Sequence, residues 1–173
     1  MSSRKNYKGE ELGDKRRVLS NPAYGNGKVD KNGDPEVVWK RYITVKHDHG
    51  FDRSNKEANG KYLIEIELPK GTEILRYGTE AGNYTAPKGT PYEKLALPYL
   101  KETLEYNEYR VITDGLKVKC QVKKGVVAPS LDSSGGAVQY WHYEPIYLLV
   151  RKKALKRIDL WAEENLPHVK DGY

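Results

Sequence analysis

The sequence predicts an antiparallel α+β domain, mainly sheet with a few short helices. Three observations carry this. Short runs alternate apolar and polar residues with a period of two, and the gaps between them are of hairpin length, dense in Gly, Pro, Asn and Asp. Only two stretches, Tyr92–Leu97 and Ile146–Val150, read as helical. A chain of 173 residues has the size of one such domain.

Residues 1–35, centred on SNPAYGNGKVDKNGDP, read as an irregular, partly mobile lead-in or linker remnant, with the domain proper over 36–173. Val37-Val38-Trp39 and Tyr42-Ile43-Thr44-Val45 have the β-branched and aromatic character of a strand. Tyr62, Ile64, Ile66 and Leu68 alternate with Glu65 and Glu67, a half-buried strand ended by Pro69 and Gly71. The run RYGTEAGNYTAPKGTP, Arg76 to Pro91, then reads as a loop, because its glycines and prolines weaken any regular element. Pro91 suits the first position of a short helix, where a missing amide hydrogen costs nothing. Tyr109, Val111 and residues 116–122 read as a strand pair turned at Asp114-Gly115, with Leu116, Val118, Cys120 and Val122 on one face. A second breaker-rich stretch, Ala128 to Gly136, leads into a strand at Val138–Trp141. Glu144-Pro145-Ile146 then opens an amphipathic helix, and Ile158–Trp161 closes the pattern.

Composition narrows the function. Hydrophobic residues make up 38% and charged residues 31%, so a small core lies under a wet surface. The net charge of +6 is spread along the chain, with no basic stripe interleaved with aromatics, which argues against nucleic acid. Fourteen tyrosines stand against one phenylalanine, a bias that suits half-wet strands and ligand clefts. The single cysteine excludes an internal disulfide or a multi-cysteine metal site, and its alternating neighbours make it a buried structural thiol. The start, MSSRKNYKGEE, lacks the apolar stretch of a signal peptide, and no window approaches a membrane span. Export is therefore expected as part of a larger polypeptide, without stable membrane insertion.

No phosphate-cradling GxxxxGK, GxSxG or HExxH motif is present. His47-Asp48-His49 offers two imidazoles without a third ligand, a pattern that more often marks surface than metal, so no metal is expected. Two Gly/Pro loops remain. One carries Arg76, Glu80, Asn83 and Tyr84, and the other ends in Gln139 and Tyr140. An arginine in a glycine-rich loop forks onto phosphate while the neighbouring amides approach closely. Tyr77 and Tyr84 offer rings to stack on a heteroaromatic base, and Gln139 can hold a ribose hydroxyl or a water. These groups together suit a dinucleotide. A pair of plain turns, or a basic module binding RNA or an acidic partner, fits the same residues.

A family resemblance rests on further residues. Arg76-Tyr77-Gly78, Glu80, Gly82, Tyr84, Pro87-Lys88-Gly89-Thr90-Pro91-Tyr92, Ala96-Leu97-Pro98, Tyr109-Arg110-Val111, Val127-Ala128-Pro129 and Gly135-Gly136-x-x-Gln139-Tyr140 follow one another in order over roughly half the chain. This series resembles the tuberculosis necrotizing toxin family of NAD+ glycohydrolases, toxin domains at the C-termini of secreted bacterial proteins and in fungal surface enzymes. The resemblance implies cleavage of the nicotinamide–ribose bond of NAD+ and NADP+, with the dinucleotide as substrate and no further cofactor. It implies catalytic roles for Arg76, Tyr84 and Gln139 and a substrate contact from Tyr77, to which the two loops themselves add Gly78, Glu80, Asn83 and Tyr140 as candidate substrate contacts. It also implies action in a target-cell cytoplasm and a cognate immunity protein in the producing cell. Three positions depart from the family pattern: Leu75 stands where an aspartate is usual, Leu95 where an arginine is, and Asn107 where many members have a histidine. The nearest rival chemistry is an ADP-ribosyltransferase, which commonly needs a glutamate where this chain has the neutral Gln139.

Overall fold

The computed structural model describes residues 4–38, 47–48, 50–130 and 133–162. Among the described residues eleven strands follow in chain order: β1 (Gly25–Val29), β2 (Pro35–Val37), β3 (His47–Asp48), β4 (Phe51–Asp52), β5 (Ile64–Glu67), β6 (Glu73–Tyr77), β7 (Tyr84–Pro87), β8 (Tyr106–Val111), β9 (Gln121–Val126), β10 (Val138–His142) and β11 (Leu155–Arg157). The one α-helix among the described residues, α1 (Ile146–Arg151), precedes β11. Seven strands form one sheet in the order β11-β8-β6-β7-β10-β9-β5, with every neighbouring pair antiparallel. This is the mainly antiparallel α+β class that the period-two runs predict.

Both faces of the sheet are covered, because successive side chains of a strand point to opposite faces. Ile74 goes to a core with Tyr109, Val122, Tyr140, Ile146, Leu149 and Leu155, and its neighbour Leu75 goes to a second core with Ala86, Leu95, Val127 and Ala137. The first lies under α1. The second lies under the segment that follows β7, where a 3-10 turn at Tyr92–Lys94, with Pro91 at its N-cap position, is shorter than the predicted helix, and another 3-10 turn follows at Lys101–Thr103.

Four readings need correction. The run 76–91 is not one loop: it contains β7, whose Thr85 and Ala86 are buried and which pairs with both β6 and β10. Long-range pairing there outweighs the local breakers. The strand pair turned at Asp114-Gly115 does not form, because β8 pairs with β6 and β11 while β9 pairs with β5 and β10. Residues 112–120 connect them as a loop closed by Asp114 Oδ1 accepting from Leu116 N at 3.0 Å. Leu116 is 84% exposed, off the expected face, whereas Cys120 and Val122 are fully buried. The strand expected from Val37-Val38-Trp39 is found as Pro35–Val37; Trp39 and residues 42–45 lie outside the described residues, as does His49.

The fourth concerns the lead-in. Residues 4–24, read from composition as partly mobile, are held to the body. Asn6 is 2% exposed and fully bonded: its Oδ1 accepts from the Lys8 and Glu10 amides, and its Nδ2 donates to Glu10 Oε1 and to Glu102 O at 3.0 Å. The Tyr106 amide donates to Lys5 O, Ser20 N to Pro98 O, and Leu100 N to Val18 O. Leu12 and Tyr24 are buried as well. A buried amide side chain with every group paired fixes its segment in one register.

Candidate active site

β6 and β7 pair only at Ile74–Pro87 and Leu75–Ala86, and then they part. The side chain of Arg76 fills the fork. Its Nε donates to Thr79 O at 2.7 Å and its Nη1 to Tyr84 O at 2.9 Å, so one guanidinium ties both arms of the turn between the strands. Burial lowers its pKa, opposed by Tyr109, Glu105 and Glu80, yet a guanidinium so far above neutrality stays charged.

Two glycines make room for it. A Cβ on Gly82 would stand 2.0 Å from Arg76 Nη2 and 2.5 Å from Cζ, a distance no atom pair tolerates. Gly78 has φ +131, open to glycine alone at little cost, and its amide donates to Glu105 O at 2.7 Å.

At the fork lies a small cavity of about 40 Å³. Arg76, Tyr77, Tyr84 and Gln139 line it, and Leu75, Thr85, Ala86, Leu95 and Leu97 supply its apolar floor and rim. Four of the eight predicted site residues thus converge from β6, β7 and β10. Leu75 and Leu95, two of the departures from the family pattern, put apolar atoms where charges are usual.

Tyr77 packs edge-on to Tyr92 at 4.8 Å and tilted against Tyr106 at 4.7 Å. Burial, then Glu93, pushes its phenol up to about 12, so it stays neutral near pH 7. Tyr84 faces Phe51 at 6.1 Å between ring centres.

The other four predicted residues lie elsewhere. Glu80 accepts from Tyr109 Oη at 2.7 Å and from Arg157 Nε at 2.6 Å. Burial would raise its pKa, but the bonds from Arg157 and Tyr109 outweigh it and hold the carboxyl below its ordinary range. Asn83 clamps the turn to β10: its Nδ2 donates to His142 O at 2.9 Å and its carbonyl accepts from His142 N at 2.7 Å. Tyr140 follows Gln139 by one residue, so it points to the opposite face and joins the core under α1. Gly78 lines a neighbouring cleft rather than the cavity. Asn107 donates to Glu105 Oε2 at 2.9 Å.

Sequence reasoning missed His142. It is fully buried, with Nε2 2.7 Å from Thr85 Oγ1 and Nδ1 without a hydrogen-bond partner among the described residues. Burial, and then the charge on Arg76, lower its pKa to about 3, so the ring is neutral. Thr85, which lines the cavity, is thereby fixed from behind. No group of three or more His, Cys, Asp or Glu that could hold a metal occurs among the described residues.

The conidial surface nicotinamide adenine dinucleotide glycohydrolase nadA of Aspergillus fumigatus is 28% identical over 118 residues, 64% of this chain and 47% of that protein. The chain therefore spans about half the length of that relative. Among solved structures, the tuberculosis necrotizing toxin complexed with its immunity factor IFT matches at 19% identity and a TM-score of 0.44, covering 90% of this chain and 91% of the other. Tse6 in complex with Tsi6 matches at 24% identity and 0.38, covering 56% and 71%. Both are loose likenesses. The sequence profile of the tuberculosis necrotizing toxin family matches residues 67–158, more than half of the chain, and this span contains the fork, the cavity and all of their residues. The chain belongs to the tuberculosis necrotizing toxin family.

Proposed function

We propose that the chain is an NAD+ glycohydrolase whose active site is the fork between β6 and β7. The observation that carries the reading is the convergence of Arg76, Tyr77, Tyr84 and Gln139 on one cavity in a chain of this family. The relative of stated activity, a nicotinamide adenine dinucleotide glycohydrolase, supports it.

The chemistry asks little of acid–base groups. In NAD+ the leaving group is a cationic ring, so the glycosidic C–N bond breaks with its electron pair going to nicotinamide, which departs neutral and needs no general acid. The ribose carbon is left oxocarbenium-like, a water oxygen bonds to it, and one water proton goes to solvent. The products are nicotinamide and ADP-ribose. Arg76 places a fixed charge for the pyrophosphate, Tyr77 and Tyr84 offer neutral rings to the nicotinamide, and Gln139 orients the ribose hydroxyls or the water.

A cavity of about 40 Å³ holds little more than a water, far short of the several hundred Å³ a cofactor-sized ligand fills. Binding therefore requires the fork to widen, and side chains rather than ladder hydrogen bonds are what can yield there. NADP+ is the second substrate in this reading. Family membership further supports a toxin delivered as part of a larger polypeptide, acting inside a target cell, with a cognate immunity protein in the producer. No helix among the described residues is long and apolar enough to cross a membrane.

Incubation of the purified chain with adenine-labelled NAD+ tests the acceptor. Hydrolysis puts all label in free ADP-ribose; label fixed on a protein would replace this reading with the transferase.

A further inference from the structure

The turn that Arg76 ties also walls a second space. Gly78 and Thr79 form one side of an open cleft of about 570 Å³, and the other side is the N-terminal segment. That segment brings Arg4, Lys15, Arg16, Arg17 and Lys31 to the cleft, facing two carboxylates, Asp34 and Glu105. The carboxylates are already committed. Arg17 Nη2 meets Asp34 Oδ2 at 3.2 Å and its guanidinium lies 4.7 Å from the Tyr99 ring centre. Arg4 stands 3.4 Å from Glu105 and donates from Nη1 to Gly13 O. Lys15, Arg16 and Lys31 pair with no carboxylate within 4.0 Å among the described residues. Arg4 Nε, the atom that faces Glu105 at 3.4 Å, is buried and has no hydrogen-bond partner among the described residues. The lining thus sets five cations against Asp34 and Glu105, and although Arg16 also acts on the nearby Asp30, a surplus of positive charge faces this concave space, which suits an anion.

We propose that this cleft is a phosphate site that receives the 2′-phosphate of NADP+ and makes the phosphorylated dinucleotide the better substrate. The inference rests on the glycohydrolase reading of the fork. Cleft and cavity share a wall, since Arg76 lines the cavity while its Nε holds Thr79 O, and Thr79 lines the cleft. A dinucleotide with its nicotinamide end at the fork thus has its adenosine half within reach of the cleft. A phosphomonoester carries nearly two charges near neutral pH and three strong acceptors, which suits an arginine fork and two lysines. A two-walled cleft suits such a group better than it suits a protein surface. The N-terminal segment, on this view, is part of the enzyme.

The test reads binding apart from turnover. Titration calorimetry compares 2′-phospho-ADP-ribose with ADP-ribose on the full chain and on the triple variant Lys15→Gln/Arg16→Gln/Lys31→Gln, with circular dichroism to confirm that the variant folds. The wild type is expected to bind the phosphorylated ligand about tenfold or more tightly, roughly 1.4 kcal/mol. The variant loses that advantage while its affinity for ADP-ribose changes by no more than about threefold, because each exposed charge contact contributes little alone. Equal or undetectable affinities in the wild type, as when the cleft serves an acidic protein instead, overturn the proposal. So does an advantage that survives the triple variant. A chain that shows the advantage without releasing nicotinamide keeps the phosphate site and loses the glycohydrolase; release without the advantage loses the phosphate site alone.

Discussion

Gly82→Ala isolates the pose of Arg76 without touching its charge. The added methyl would sit 2.0 Å from Nη2, 2.5 Å from Cζ and 2.9 Å from Nη1, so the guanidinium has to leave the fork. Gly82 has no left-handed φ, so the backbone accepts alanine and the effect is confined to this collision. Leaving breaks the bonds to Thr79 O and Tyr84 O. Each is a bond from a charged donor, about 1.5 kcal/mol at the low end of its class. Rehydration of the freed guanidinium offsets part of the sum, so the expected net loss is about 2 kcal/mol. For a chain of this size that lowers Tm by about 4–8 °C. Activity should fall further than stability, by ~10²-fold or more, because a misplaced binding charge no longer meets the pyrophosphate. Thermal melting and nicotinamide release from NAD+ are measured side by side, with Ala81→Ser, at an exposed neighbour, as the control that changes neither. A Gly82→Ala chain with unchanged Tm and full turnover would refute both the fork as the seat of Arg76 and its role.

Three further outcomes follow from the same geometry. His142 is accepted by the fold only as the neutral ring: the unfolded chain takes up its proton below about 6.5 and the folded chain only near 3. Its contribution is whole above 6.5 and falls by about 1.4 kcal/mol per pH unit below it. Urea denaturation should therefore show the wild type losing about 2 kcal/mol more than His142→Asn between pH 7.5 and 5; equal slopes would contradict the buried neutral ring. Tyr140→Leu, on the face opposite Gln139, should lower stability by about 1–3 kcal/mol and leave turnover within about threefold, and a hundredfold loss of turnover would place Tyr140 in the site instead. Tyr109→Phe removes one bond to Glu80 and should cost about 1.5 kcal/mol by denaturation with activity unchanged, since Arg157 still holds the carboxylate.

The fold class was legible because strands announce themselves locally. Ile64, Ile66 and Leu68 alternate with glutamates, and the structure pairs that run with β9. Pairing partners were not legible. Asp114-Gly115 is a good turn, yet the strands on either side of it join different neighbours, a choice made by residues tens of positions away. β7 was hidden because glycine and proline surround it, and only its two ladders and the burial of Thr85 and Ala86 define it. In the site, Arg76, Tyr84 and Gln139 could be read because ordered blocks of neighbours accompany them. Glu80 looked equally eligible, but Arg157, 77 positions on, claims it. Gln139 and Tyr140 could not both face one cavity, a consequence of strand geometry that neighbouring positions in a motif conceal. His142 and Thr85, 57 positions apart, had no local signal at all.

Nicotinamide release from NAD+ by the purified chain, beside its Gln139→Ala variant, tests the central claim most directly. Steady release by the wild type and a loss of about 10²-fold or more in a folded variant are expected from a fork in which Gln139 orients the ribose or the water. No release from the folded wild type, or undiminished release from Gln139→Ala, would contradict it.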